Sequence, residues 1–254
     1  MTTNDSLQRI VPDIRAALGL LTRLPLPTGP QLARGAATAW AWPLAGAVVG
    51  ALAATAATLA LAIGLTPGVA AALVLATQAM LTGAMHEDGL ADAADGLWGG
   101  WDKARRLAIM KDSHIGSYGV MALVLCSLGR WSALTVVLTM AGHWPVLIAV
   151  GALSRVPMAV IMATLPNARG AGLAHAVGRP DARTAGLAAA LGCGLALGLM
   201  GGTALGMAGL AAVACLGLAL IAKVRIGGQT GDILGASQQL AEVAALAIAA
   251  AALV

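Results

Sequence analysis

Six of the eleven acidic residues of the chain lie between Glu87 and Asp112. If this stretch is helical, Asp88, Asp92 and Asp95 stand at i, i+4 and i+7, within roughly 60° of one another on one face. Like charges repel, so this arrangement needs a cation, and clustered carboxylate oxygens suit Mg²⁺ or Mn²⁺. The spacing therefore predicts a Mg²⁺ site. The alternative is a solvated loop with scattered carboxylates.

A zinc site is a poorer interpretation of the same segment. His86 and Glu87 begin it, but no second histidine follows four residues after His86, so the H-E-x-x-H pattern is absent. His86 is typical of a helix end. The roles of His86 and Glu87 stay uncertain.

Basic residues follow the carboxylates. Arg105 and Lys111 suit a phosphate-bearing substrate, because cationic side chains bind phosphate and arginine does so bidentately. Such residues also occur at membrane surfaces, where they set topology, so both interpretations stay open. Asp112, Ser113 and His114 come directly before a long apolar run. His114 is a candidate acid or base, or a residue that caps the next helix.

A second polar element runs from Gly227 to Gly235 and contains Gly228, Thr230 and Asp232. Its glycines allow close approach of the backbone to a phosphate or a metal. It is not a Walker A motif, because the Gly-Lys-Ser/Thr ending is missing. Arg155, Gln239 and Glu242 lie deeper in apolar segments, and ionisable groups in such places are costly and usually functional.

The composition indicates which elements must position these side chains. Hydrophobic residues make up 59% of the 254 residues and charged residues only 10%, against roughly 25% charged in an ordinary soluble domain. Residues 35–86 and 184–222 carry no Asp, Glu, Lys or Arg, and each run has room for two membrane helices of about 20 residues. We therefore predict an all-α, polytopic transmembrane bundle and a single domain over residues 1–254. The predicted spans are about 37–62, 68–85, 117–138, 142–164, 185–200, 203–222 and 233–254.

The basic residues predict how these seven spans are oriented. All but Arg130 and Arg155 fall in the N-terminal segment 1–34, the acidic segment 86–116, and the loops 165–184 and 223–232, each two spans from the next. The positive-inside rule makes their shared side cytoplasmic. Helical spacing of Val11, Ile14, Leu18 and Leu21 predicts an N-terminal helix on the membrane surface, which Pro25-Leu26-Pro27 ends. No signal peptide is expected. We expect Cys126, Cys193 and Cys215 to be small buried residues.

With these motifs in view, the chain resembles the cobalamin synthase family over nearly its whole length. The resemblance rests on Asp88 to Gly96 together with the Gly-Gly-Gln-Thr-Gly-Asp element at 227–232, and on further matches that include Leu21 to Pro27, Ile109 to Gly116, Ser154-Arg155 and Ala168-Arg169. The sequence departs from the family pattern in four places. Glu87 replaces a usually apolar residue, Gln239 stands where glutamate is frequent, His114 stands where arginine is common, and Gly170 replaces an acidic residue.

The resemblance implies a reaction. The cobinamide-phosphate moiety of adenosylcobinamide-GDP would pass to α-ribazole or its 5′-phosphate, with release of GMP, Mg²⁺ as cofactor and the bacterial inner membrane as location. Asp88, Asp92 and Asp95 would bind Mg²⁺, with Asp232 as a further ligand, and Asp92 or Asp112 would take the hydroxyl proton. The substrate- and phosphate-binding candidates are Arg23, Arg105, Lys111, Ser113, His114, Arg155, Arg169, Gly228 and Thr230, and uncertain candidates are His86, Glu87, Gln239 and Glu242.

Two other classes of protein compete with this interpretation. A CDP-alcohol phosphotransferase also has aspartates at the membrane surface, but Ala91-Asp92 follows Asp88-Gly89 here and the expected arginine is missing. A transporter would place its charges near the bilayer middle, whereas these carboxylates cluster in one segment. As partners we expect small-molecule substrates and the lipid bilayer, and no nucleic acid; a homo-oligomer is left open.

Overall fold

The computed structural model describes residues 3–26, 30–140 and 142–253, and within these ranges the chain is helical and forms no β-strand. The helices are, in chain order, α1 (Thr3–Leu21), a 3₁₀ helix (Pro30–Ala41), α2 (Trp42–Ala62), α3 (Pro67–Thr82), α4 (Met85–Gly99), α5 (Lys103–Ile109), α6 (Ser117–Thr139), α7 (His143–Ser154), α8 (Val156–Thr164), α9 (Leu173–Val177), α10 (Ala182–Met200), α11 (Thr203–Ile226) and α12 (Gly231–Ala251).

In the described residues, six helical stretches are long and apolar enough to cross a membrane: Arg34–Ala62, Ser117–Thr139, His143–Thr164, Ala182–Met200, Thr203–Ile226 and Gly231–Ala251. A seventh exists if α3 and α4 count as one bent span. The prediction of an all-α polytopic bundle is confirmed. The predicted second span, 68–85, corresponds to α3, and a bend of 90° separates α3 from α4. The helix that carries the acidic cluster therefore lies outside the six spans.

The four basic segments meet at one end of the bundle, which we call the basic end. Arg169 pairs with Asp232, and the guanidinium of Arg106 donates to the Arg225 carbonyl at 3.2 Å. The backbone N–H of Arg23 donates to the Leu81 carbonyl oxygen at 2.6 Å, near the start of the acidic segment. The structure thus supports the prediction that these segments share one side of the membrane.

The N-terminal helix is present as predicted, but it ends at Leu21 and includes Pro12. Leu21 is buried, whereas Val11 is exposed, so the predicted apolar stripe is only partly covered by protein. Of the predicted helix breaker, Pro27 lies outside the described residues. Cys126 and Cys215 are buried as expected, but Cys193 is exposed on α10, so that prediction is wrong for Cys193.

Glycines set the close crossing of α2 and α7. A Cβ atom added to Gly46 would overlap the carbonyl oxygen of Gly151, and one added to Gly50 would overlap that of Leu147. Gly46 and Gly50 form a G-x-x-x-G pattern, which lets two membrane helices approach closely. Small residues therefore serve packing here, as the sequence indicates.

Replacing Gly46 with Ala should force α2 and α7 apart and destabilise the fold by about 1–3 kcal/mol, the usual cost of overpacking. Gly194→Ala is the matched control, because a Cβ at Gly194 in α10 meets nothing within 4 Å. Denaturation of both variants in detergent measures the effect. Equal stability of the two variants would show that the crossing tolerates a side chain.

Candidate active site

The acidic helix α4 crosses the first turns of α12 at two glycines. A Cβ on Gly89 would lie 3.0 Å from the carbonyl oxygen of Asp232, and one on Gly235 would lie 3.3 Å from the Cα atoms of His86 and Gly89. Only residues without a side chain permit this approach. It carries the acidic face of α4 to the N-terminal end of α12, where Asp232 stands.

Asp92 lies among the other carboxylates of this region. It is half-buried, and the pKa of its carboxyl is raised to about 7. Burial is the largest cause, the negative charges of Asp232 and Asp88 act in the same direction, and Arg169 opposes them. The charges of Asp88 and Asp232 therefore act on Asp92, and this repulsion makes the region receptive to positive charge.

Arg169 and Thr230 hold Asp232. Arg169 donates to Oδ2 of Asp232 at 2.7 Å, and Thr230 donates to the same oxygen at 3.1 Å. Thr230 also caps α12, because its hydroxyl accepts the Ile233 N–H at 3.3 Å. Both bonds to Asp232 use Oδ2, so Oδ1 stays available as a ligand atom.

Asp95 has a different role from the one that its spacing predicts. One carboxylate oxygen accepts the Gly116 N–H at 2.7 Å, and the other accepts the Gly119 N–H at 2.9 Å. The side chain is buried and holds the first turn of α6, whose free N–H groups favour an anion. The geometry therefore favours a structural role for Asp95 over the predicted Mg²⁺ ligand.

The sequence predicts a phosphate contact for Gly228. In the structure, Gly228 allows a close approach between two backbone segments. A Cβ at this position would overlap the carbonyl oxygen of Pro166. The close approach permits two backbone bonds, from Gln229 N–H to the Pro166 oxygen and from Ala168 N–H to the Gln229 oxygen, each 2.8 Å long. These bonds bring the loop that carries Arg169 to the N-terminal end of α12.

A cavity of about 170 Å³ opens beside the carboxylates, and we call it the acidic pocket. Asp88, Asp232 and Arg169 line its polar part. Its apolar part is lined by residues of α1, α2, α8 and α9, among them Leu21, Trp42, Met158, Met162, Leu173 and Val177. The pocket thus joins a charged part to an apolar part.

Three polar atoms of the pocket residues His86 and Trp42 have no hydrogen-bond partner among the described residues. They are Nδ1 and Nε2 of His86 and Nε1 of Trp42, and both side chains are at most 2% exposed. Burial, together with the charges of Arg155 and Arg130, lowers the pKa of His86 well below its usual value. His86 is therefore neutral and buried. Trp42 is missing from the candidates that the sequence suggested, since a tryptophan at the start of an apolar helix carries no chemical signal.

Arg155, Glu87, Gln239 and Glu242 form a buried polar network with Arg130, in place of the substrate contact predicted for Arg155. Arg130 donates to Glu242 and Gln239, each at 2.7 Å, and to Glu87 at 3.2 Å. Arg155 lies 3.6 Å from Glu242 and donates to the Gly151 carbonyl oxygen and the Ser154 hydroxyl. Because Arg155 is 2% exposed and engaged within the protein, it fits a structural role. Two further glutamines, Gln78 and Gln238, belong to this network, and an uncharged amide within an apolar run carries no sequence signal that marks it.

The remaining candidates lie at the exposed surface of the basic end. Arg23, Arg105, Lys111, Ser113 and His114 are all exposed. Asp112 is exposed too and pairs with His114 at 2.7 Å, and the hydrogen bonds from His114 lower the pKa of its carboxyl. None of these residues lines the acidic pocket. Their predicted contacts with substrate stay predictions.

A divalent cation fits the chemistry of the donors. Across residues 3–26, 30–140 and 142–253, no three Asp, Glu, His or Cys side chains converge closely enough to form a complete metal site by themselves. The carboxylates of Asp88, Asp92 and Asp232 nevertheless offer hard oxygen ligands whose repulsion a cation would relieve. Mg²⁺ usually keeps several waters or substrate oxygens as ligands, so one or two protein carboxylates suffice.

Fold and site together define a multi-pass membrane protein with a pocket at its basic end where carboxylates and an arginine meet. Comparison with known proteins narrows this class. The model of the family described as cobalamin-5-phosphate synthase matches residues 13–250. The chain therefore belongs to the cobalamin-5-phosphate synthase family.

Curated relatives cover nearly the whole chain. A protein of Bradyrhizobium diazoefficiens is 42% identical over 250 residues, which are 97% of this chain and 96% of the relative. Relatives in Mesorhizobium japonicum and Azorhizobium caulinodans are 41% and 44% identical, cover 98% and 94% of this chain, and are matched over 96% and 95% of their own length. All three are named adenosylcobinamide-GDP ribazoletransferase. No solved structure matches the chain.

Proposed function

We propose that this protein transfers the cobinamide-phosphate moiety of adenosylcobinamide-GDP to α-ribazole or its 5′-phosphate and releases GMP. The relatives' names and the family supply the reaction. The observation that carries the proposal is the position of Asp92 beside Asp88 and Asp232, next to a pocket that Arg169 lines. A phosphoryl transfer between two anionic reactants needs both negative oxygen ligands for a cation and a cationic side chain for phosphate.

The proton of the acceptor passes to Asp92 in this proposal. The ribose 3′-hydroxyl of the acceptor, which stays free when the 5′ position is phosphorylated, attacks the phosphorus nearer to cobinamide. The bond from that phosphorus to the bridging oxygen breaks, and GMP leaves with this oxygen. A base works best when its pKa lies near the working pH, and Asp92 meets that condition with a pKa of about 7. Asp112 is the weaker candidate, because its exposed carboxyl pairs with His114, which lowers the pKa of that carboxyl.

Arg169 is suited to hold the diphosphate. One terminal nitrogen of Arg169 donates to Asp232, and its buried Nε has no hydrogen-bond partner in the described part of the chain. Asp88 and Asp232 would hold Mg²⁺, with Asp92 beside them. When bound, the ion would neutralise charge that develops on the leaving phosphate. The positive-inside rule supports a cytoplasmic position for the basic end, in the bacterial inner membrane.

The full chain in lipid nanodiscs tests the proposal directly. With adenosylcobinamide-GDP and α-ribazole we expect GMP and adenosylcobalamin in equal amounts, no product in excess EDTA, and recovery on addition of Mg²⁺. GMP release without α-ribazole would indicate hydrolysis and contradict transfer. Full turnover in EDTA would overturn the metal assignment but leave the reaction intact.

A further inference from the structure

Two of the buried side chains with unpartnered polar atoms line the same cavity. Trp42 and His86 are 2% and 1% exposed, and both line the acidic pocket. Buried polar groups in folded proteins are nearly always hydrogen-bonded, because an unmet donor or acceptor is costly. Trp42 offers only a donor, whereas the imidazole of His86 offers two ring nitrogens, and both are without a partner in the described residues. A ligand that enters this pocket therefore gains most if it carries an acceptor beside Trp42 and a hydroxyl beside His86.

The size and lining of the pocket restrict that ligand further. An apolar cavity of roughly 150 Å³ holds a single benzene ring, so about 170 Å³ with an open side suits one flat ring system and excludes a corrin macrocycle. Met158 and Met162 are buried and line this part of the pocket. Guanine carries several donors and acceptors around its edge, which would face an apolar wall without partners. A dimethylbenzimidazole is apolar except for one free ring nitrogen.

We infer that the acidic pocket is the acceptor subsite, and that it takes the benzimidazole base of α-ribazole with its ribose toward the carboxylates. This inference rests on the proposed function. The indole N–H of Trp42 donates to the free ring nitrogen of the base, and His86 bonds to a ribose hydroxyl. Because Asp88 and Asp232 line the same pocket, this orientation puts the ribose hydroxyls near these carboxylates. Trp42 is then a residue that determines which bases are accepted.

Replacing Trp42 with Phe keeps an aromatic side chain, removes the N–H and reduces the size of the ring system. We expect the KM for α-ribazole to rise about tenfold, as for the loss of roughly 1.4 kcal/mol of binding, while the KM for adenosylcobinamide-GDP stays unchanged. A second comparison isolates the hydrogen bond. The parent protein should prefer a benzimidazole riboside about tenfold over an indole riboside, which lacks the free nitrogen, and Trp42→Phe should lose that preference.

Trp131→Phe is the matched control, since the Trp131 N–H donates to the Gly68 carbonyl oxygen at 2.8 Å, outside the acidic pocket. It should leave both KM values and the base preference unchanged. A Trp42→Phe protein with a raised KM for adenosylcobinamide-GDP alone would assign the pocket to guanine and overturn the inference. An unchanged base preference would overturn it as well. If the parent protein releases no GMP at all, the proposed function itself fails, and that result is distinct from both.

Discussion

An Asp92→Asn variant should release GMP about a thousandfold more slowly than the parent protein, within the range that a positioned general base contributes. Asparagine keeps the shape of the side chain but can neither accept the hydroxyl proton nor add negative charge beside Asp88 and Asp232. Because the repulsion among these carboxylates falls, the fold should be no less stable than before. Single-turnover release of GMP, with thermal unfolding alongside, measures both effects.

Two further Asp→Asn variants make this test specific. Asp102 caps α5 by accepting the Arg105 N–H at 2.9 Å, and asparagine caps helices about as well as aspartate. Asp102→Asn should therefore keep full activity and stability. Asp112→Asn decides between the two candidate bases, and we expect less than a threefold effect. A large loss in Asp112→Asn with little change in Asp92→Asn would reverse our assignment of the base.

The sequence predicted the acidic helix correctly but not how its three aspartates are used. Periodicity places Asp88, Asp92 and Asp95 on one face of an isolated helix, and α4 is helical over this stretch. The face is shared between two neighbours, however. Asp92 is near Asp232 of α12, whereas Asp95 meets the backbone N–H groups at the start of α6. A one-dimensional pattern does not contain the position of α6, so it could not separate the two roles.

The buried ionisable residues also show that the sequence does not reveal which groups a side chain contacts. Sequence alone marks Arg155 and Glu242 as costly in an apolar segment and so in need of partners. It does not say that the partners are protein groups rather than substrate. Arg130, which lies in the apolar run that forms α6, is 2% exposed and contacts four polar side chains on three helices. Only the packing of α3, α4, α6 and α12 brings these groups together.

The network around Arg130 predicts a large loss of stability on removal of that residue. Two arginines, Arg130 and Arg155, balance two glutamates, Glu87 and Glu242. Arg130→Met would leave one carboxylate uncompensated, which typically costs about 3–5 kcal/mol. Because Glu87 directly precedes Asp88, the loss should also disturb the acidic end of α4 and lower activity. Arg183→Met, at an exposed arginine of α10, is the control and should leave unfolding in detergent nearly unchanged.

Moving one negative charge from position 87 to position 239 tests whether the stability of the network depends on its charge balance or on the particular side chain at each position. Glu87 and Gln239 both depart from the family pattern. The two side chains contact each other, because Gln239 Nε2 donates to Glu87 Oε1 at 3.1 Å. Glu87→Leu removes one negative charge and Gln239→Glu adds one, so each alone unbalances the network and should cost about 2–4 kcal/mol. The double variant restores two charges of each sign and places the new carboxylate where Arg130 already donates at 2.7 Å. Its free energy of unfolding should therefore return to within about 1 kcal/mol of the parent value, far from the sum of the single effects. If the double variant instead lost the sum of the two single losses in free energy of unfolding, charge balance would not be what holds α4 against α12. The position of Asp88 and Asp92 would then depend on the crossing of α4 and α12 at Gly89 and Gly235 alone.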